Sequence, residues 1–351
     1  MAFHADFHKA PGCAGIILLC TFLLLSAPSC LATACGSEDQ TCDALNSWIF
    51  LQSVTPIIVV GDATGKVHRT TDGYQWTTTT LDSGFSVSDF EFALGNFWAV
   101  TSNNPGFGTV FYSTDGISWK SSTTGLNTSN GLYGIAYGNG RFAIVSRAGG
   151  GNQAFYSSDG INWTPNNDAD LAPMDFVNVD CMSFVGSLFV GGEDTGGIVL
   201  YSSDGIDWTS GTSAASSAAH FGKQGDYFFW ADVGAASLYA KTVLTGPTPP
   251  AVAGLVSIRA AVTGRFSSLA VGDAGVIHQS FDGLNWSANL NVDTSVNLTT
   301  VTCADVRLCL AGGALGAYYV SKDGGASWTG PYSIPGAGNL VTSITRAGFP
   351  Y

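Results

Sequence analysis

Apolar and polar positions along this chain alternate in short runs, each broken by Gly, Asn or Asp within a few residues. The clearest stretch is 132–164, where residues 132 to 137, 141 to 146, 153 to 157 and 161 to 164 read as four successive strands. Period-two alternation over so few residues is the signature of half-buried strands joined by tight turns. Good helix formers are scarce: of the 26 acidic residues 23 are Asp and three (Glu38, Glu91, Glu193) are Glu, while Gly alone numbers 45. The chain therefore reads as all-β.

A repeat organises these strands. Six segments share a short pattern ending in Trp, anchored at Asp72 and Trp76, Asp115 and Trp119, Asp159 and Trp163, Asp204 and Trp208, Asp282 and Trp286, and Asp323 and Trp328. The tryptophans are separated by 43, 44, 45, 78 and 42 residues, so the 78-residue gap spans two periods and one unit has lost its motif. That unit lies within 215–254, where strand-like runs at 227–230 and 237–240 survive. Seven units of four strands predict a seven-bladed β-propeller over 56–351, with each Asp-Gly pair turning the chain between the third and fourth strands. Asp suits that turn because its carboxylate accepts nearby backbone N–H groups, and Gly because it tolerates positive φ. The run Leu340-Val341-Thr342-Ser343-Ile344-Thr345-Arg346 resembles a first strand yet follows the last complete unit, whereas the first unit begins convincingly only at Pro56. The C-terminal segment is therefore expected to supply the innermost strand of the N-terminal blade, closing the ring and leaving no sheet edge unpaired.

These segments resemble Asp-box (BNR) repeats, Ser-x-Asp-x-Gly-x-x-Trp, across roughly 56–351. Ser321, Asp323, Gly325 and Trp328 carry the full spacing, and the other five copies are one residue shorter between Asp and Trp. The resemblance implies a propeller. It also implies a choice among the functions such repeats serve: sialidases and related glycoside hydrolases, lumenal photosystem II assembly-factor propellers, sortilin-type receptors and other secreted proteins.

Composition narrows the choice of partner. A formal charge of −13, from 13 basic and 26 acidic residues, argues against nucleic acid, which requires basic stripes. Residues 15 to 27 form an uncharged apolar run after Lys9 and before Ala32-Thr33-Ala34, as in a cleavable export signal over 1–34. Residues 35–55 then form an N-terminal segment. An uncleaved anchor and lipidation at Cys35 are the alternatives; after cleavage no membrane span is expected. Outside the leader, Cys35 with Cys42 and Cys303 with Cys309 suit disulfides in an oxidising compartment, and Cys181, among apolar neighbours, suits a buried thiol. The spacing of His and Cys supports no metal site and nothing points to a cofactor. Asn127, Asn162, Asn285 and Asn297 head Asn-x-Ser/Thr acceptors.

Binding chemistry is expected on the face opposite the Asp-Gly turns, where loops joining strands two and three crowd the axis. Asp62, Glu193 with Asp194, Asp232 and Asp273 place carboxylates there, with Arg147 on a neighbouring loop and Asp168, Asp170 and Asp175 in a linker. They form a discontinuous acidic ring suited to a cation, a basic protein surface or a hydroxyl-rich sugar; read more simply, they are turn formers. A glycosidase needs two placed carboxyl groups, and a sialidase a Tyr activated by Glu, a further acidic residue and three arginines; Glu91 and Glu193 are the available glutamates, while Arg147, Arg259 and Arg346 are the arginines near that face or the axis. His68 and His278 each stand four residues before a motif Asp, which favours a repeated structural position. The sequence reads best as an exported, monomeric, non-catalytic propeller, extracellular, periplasmic or lumenal, that binds a protein or glycan. A sialidase-like hydrolase and a photosystem II assembly-factor-like lumenal propeller are the alternatives.

Overall fold

A computed structural model describes residues 55–102, 108–126, 130–146, 154–171, 181–193, 197–213, 217–255, 257–264, 267–287, 292–293, 295–305, 307–337 and 341–347. The expected export signal over 1–34, Cys35, Cys42, Asn127, Arg147, Asp175 and Asp194 lie outside them.

Seven small antiparallel sheets follow one another along the chain. The first blade holds β1 (Ile57–Asp62), β2 (Lys66–Thr70) and β3 (Thr77–Thr80). The second holds β4 (Ser86–Ala93), β5 (Asn96–Ser102), β6 (Val110–Ser113) and β7 (Lys120–Ser122), and the third β8 (Leu132–Gly138), β9 (Arg141–Ser146), β10 (Ala154–Ser157) and β11 (Thr164–Asn166). The fourth holds β12 (Met182–Val185), β13 (Leu188–Gly192), β14 (Ile198–Ser202) and β15 (Thr209–Ser213). The fifth has β16 (Ala218–Gln224), β17 (Tyr227–Asp232) and β18 (Ser237–Lys241), and the sixth β19 (Ile258–Val262), β20 (Ser268–Gly272) and β21 (Ile277–Ser280). Among the described residues these two carry single bridges beyond the third strand, Tyr239 to Ala251 and Ser280 to Trp286. The seventh blade holds β22 (Leu298–Asp305), β23 (Leu308–Gly313), β24 (Ala317–Ser321) and β25 (Thr329–Ser333), after which β26 (Val341–Ala347) returns to the first.

The ring closes as the sequence predicts: β26 pairs antiparallel with β1, Val60 opposite Ile344 and Ile58 opposite Arg346, giving the order β26-β1-β2-β3. The innermost strands are neighbours all the way around, from β26 through β4, β8, β12, β16, β19 and β22 back to β26. The core is divided accordingly. Seven buried apolar clusters among the described residues each fill one junction between adjacent blades, such as Trp98, Phe142, Phe155 and Trp163 between the second and third. Phe142 is fully buried and meets the rings of Trp98, Tyr137 and Trp163, so removing its ring costs roughly 3–5 kcal/mol.

The motif builds these junctions. In the second blade the Ser113 hydroxyl accepts the amides of Asp115 and Gly116 at 3.2 and 2.9 Å, and the Asp115 carboxylate accepts those of Ile117 and Ser118, each at 2.8 Å. The same pattern recurs around Asp72, Asp159, Asp204 and Asp282, and one residue longer at Asp323. Because Asp159 holds the amides of Ile161 and Asn162, those residues stay in the turn and the outer strand starts at Thr164, three residues later than the alternation predicts. The motif glycine then packs on the preceding blade: a Cβ on Gly160, at φ +73°, would stand 2.3 Å from the Trp98 ring. Basic side chains add a second tie, with Arg69, Arg141 and Lys322 donating to the carbonyls of Asp115, Asp204 and Asp72 of the following blade. Across β22 and β23, Cys303 stands opposite Cys309, and the two are disulfide-bonded as expected; Cys181 is buried.

Candidate functional site

The loops between second and third strands share one face with the linkers between blades, and the two are bonded together. In the first, sixth and seventh blades the linker amides of Leu81, Val292 and Ile334 donate to the carbonyls of Gly65, Gly275 and Gly316 at 2.8, 3.1 and 3.0 Å. Each turn tip is therefore braced from outside as well as by its own hairpin.

The innermost strands reach this face through a repeated irregularity. One extra residue is accommodated on the inner strand in the second, third, fifth, sixth and seventh blades: Ser88, Tyr133, one residue within His220-Phe221, Arg259 and Thr299. A bulge redirects the side chain of the extra residue and sharpens the local twist. The Ser88 hydroxyl donates to that of Ser102, Thr299 donates to the Val341 carbonyl of the next inner strand, and Arg259 reaches up to the loop face. Its guanidinium grips Asp273 through Nε and Nη2, with Nη2 to Oδ2 at 2.6 Å, while Nη1 donates to the Val233 carbonyl of the fifth blade at 2.7 Å. The pair is about a third exposed and ties two blades at the mouth.

The acidic residues singled out from the sequence take separate places. Asp62 is fully buried: Oδ1 accepts the Thr64 amide and hydroxyl and the Lys66 amide, and Oδ2 faces His68 Nε2 at 3.3 Å. His68 Nδ1 meets the exposed Thr78 hydroxyl at 2.9 Å. Asp232 is likewise buried, accepting the amides of Ser217 and Ala235. Glu193 is 7% exposed. Asp273 alone of the described ring residues is partly open. It is joined on this face by Asp82 and Asp293, both half-buried, which the sequence reading did not select. Burial raises the Asp82 carboxyl, whereas the amide and hydroxyl of Ser295 hold Asp293 low. Lys66 and Arg259 are the cations set among these turns in the described residues, and Lys66 is bonded to the Gly336 carbonyl.

Asp168 does not join the face. Its carboxylate accepts the amides of Asp170 and of Trp208, at the motif turn of the fourth blade. Glu91 lies on the axis side of the second blade, where Oε1 accepts the Phe92 amide and Oε2 that of Tyr137 at 3.0 Å. Asp89, two residues earlier, accepts Ile135 N–H at 2.8 Å. Together they satisfy outward-facing amides on the inner edge of the third blade, a role legible only once β4 and β8 are known to be neighbours. The His278 ring is buried with Nδ1 on the Ser287 carbonyl at 2.8 Å. Among the described residues no group of three or more His, Cys, Asp or Glu is arranged to hold a metal ion, and no helix is long and apolar enough to cross a membrane.

No protein-family model and no curated protein matches the sequence. Solved structures do match in fold. A YCF48 structure bound to a D1 peptide superposes with a TM-score of 0.53 at 15% identity, covering 69% of this chain and 81% of that one. YCF48 from Cyanidioschyzon merolae gives 0.53 at 13% identity over 71% and 85% of the two chains. A GH74 enzyme from Niastella koreensis gives 0.51 at 18% identity, over 76% of this chain and 42% of the other. At these identities the likeness is one of fold.

Proposed function

We propose that this chain is an exported, non-catalytic binding propeller that holds a protein partner on its loop face. The observation that carries the reading is the construction of that face. Its turns in three consecutive blades of the ring, the sixth, seventh and first, are braced by their linkers, and these turns and linkers carry the half-buried Asp82, Asp273 and Asp293, with Asp62 buried in the first-blade turn. A rigid surface loses little conformational freedom on binding, and one with more carboxylates than cations attracts a basic partner. The similarity in fold to a YCF48 structure bound to a D1 peptide supports a peptide or protein ligand over a glycan. In this reading Asp273 contacts the partner, and Asp62, Asp232 and Glu193 shape the turns and add to the field. Residues 1–34 direct export.

Glu91, the inner-strand carboxylate available to a hydrolase, has both oxygens on backbone amides, which favours a structural duty. The test is capture from a source extract by the immobilised mature chain, against a variant with Asp82, Asp273 and Asp293 changed to Lys. Loss of the captured protein in the variant is expected; capture unaffected by the triple change would refute the loop-face assignment. Turnover of fluorogenic glycosides, abolished by Glu91→Gln, would replace the binding reading with an enzymatic one.

A further inference from the structure

We infer that Leu315 is the apolar anchor of the loop face and that it receives an extended peptide segment carrying an apolar side chain flanked by Lys or Arg. This rests on the loop-face reading above and specifies its contact point.

Leu315 is the most exposed large apolar residue among those described, at 79%. It sits at the tip of the seventh-blade turn between β23 and β24 with φ +60°, followed by Gly316 at +70°. The sixth blade makes the same turn with Ala274 at +55° and Gly275 at +65°. Two consecutive left-handed residues favour Gly, Asn or Asp; a leucine there brings its Cβ against the backbone without compensation. Ala274 bears the same Cβ cost but is half-buried, whereas Leu315 projects a whole isobutyl group into solvent. Its conformation is held from several sides: the Ala314 amide donates to the Asn297 carbonyl at 3.1 Å, Ala317 N–H to the Ala314 carbonyl at 3.1 Å, and Ile334 N–H to the Gly316 carbonyl at 3.0 Å. A strained residue that gains no packing within its own fold marks a position whose side chain works outside it.

The surroundings define the chemistry of the occupant. The linker that leads into the seventh blade carries Asp293, and the turn of the sixth blade carries Asp273. A segment laid across Leu315 thus meets an apolar knob with the Asp293 carboxylate and the Arg259-paired Asp273 to one side and Lys66, bonded to the linker, at the other, so the basic residue of the complement is the one that faces Asp293. Lone exposed leucines need no explanation in general, and Leu94, 53% exposed at φ +52° in the turn between β4 and β5, is a second on the motif face; Leu315 is set apart by its greater exposure and its place among the acidic turns of the loop face.

The test uses the mature chain and an array of short synthetic peptides, each with a central Leu or Phe flanked by Lys or Arg, with acidic-flanked and apolar-free controls. The basic apolar peptides are expected to bind, and Leu315→Gly and Leu315→Asn to weaken that binding about tenfold or more, within the range of an interface anchor. Both substitutions suit the left-handed backbone, so their melting temperatures should be unchanged or slightly raised, and Leu315→Met should retain binding. Binding by Leu315→Gly equal to the parent, or equal binding of the apolar-free controls, overturns the anchor while leaving the loop-face reading intact. Absence of peptide binding by the parent chain overturns the anchor as stated, and the Lys triple variant then decides the fate of the loop-face reading separately.

Discussion

The first and sixth blades carry the same residues, Gly-Asp-Ala at the turn and a His on the third strand, and use them in opposite ways. In the first, Asp62 is buried against His68, which in turn meets Thr78. In the sixth, Asp273 faces outward to Arg259, and His278 binds the Ser287 carbonyl instead. The cause is one residue of register. His68 stands opposite Val60, two residues before Asp62, so the acid and the imidazole share a face of the sheet. His278 stands opposite Ala270, three residues before Asp273, and β20 ends at Gly272, so that acid opens the turn and its carboxylate goes to Arg259. Successive side chains alternate faces in a strand, so a change of one in the turn moves a carboxylate from interior to surface. The lesson is that a repeated motif fixes the residue without fixing its role.

Removing the buried acid is the harshest way to break the comparison. Asp62→Ala strands two amides and the His68 ring without an acceptor, and should cost roughly 3 kcal/mol in a denaturant melt. A loss no greater than that of an exposed turn Asp would mean the buried network contributes little. Thr78→Val removes the far end of the row and should cost about 1 kcal/mol, the worth of one neutral hydrogen bond. In the sixth blade Arg259→Ala frees Asp273 and the Val233 carbonyl near solvent, so a loss of about 1 kcal/mol or less is expected. It also sharpens the parity argument, because Asp273 should not turn onto His278, and the imidazole signals of His278 in NMR should stay in place.

The acid limit supplies a gentler test common to both blades. All six motif carboxyls lie below the ordinary aspartate value of 3.8. The amides of Ser118 and Ile117 lower Asp115, and the Asn285 side chain with its amide draws Asp282 down to about 2. Carboxyls depressed in the folded state stabilise it above the unfolded value, and that contribution is lost as the pH falls through the folded ones. The melting temperature should therefore be flat above about pH 5 and decline from about pH 4 toward 2. A decline already complete at pH 4 would place the acid-labile groups elsewhere.

Much of this was legible before any coordinates. Trp spacing gives seven blades, the stray strand at 340–346 gives ring closure, and Cys303 with Cys309 gives a disulfide, because each rests on local pattern or on counting. The loop-face chemistry was far less so. Asp62, Asp232 and Asp273 look alike in sequence, but their exposure depends on strand register and on which side chain meets them across a blade junction. Asp89 and Glu91 gain their roles from Ile135 and Tyr137, 46 residues away. Leu315 had a readable signal that went unused: aligning the turns sets Ala-Leu-Gly against the Asp-Ala-Gly of the sixth blade, an exposed apolar residue where a small or polar one suffices.

The central claim is that partners are held by the loop face and not by the motif face, which also exposes apolar side chains such as Tyr74 and Phe281. Photo-crosslinkable residues placed at Ala63 and Leu315 on one face and at Phe281 on the other test it most directly. The account predicts partner adducts from positions 63 and 315 and none from 281; adducts from 281 alone would contradict it.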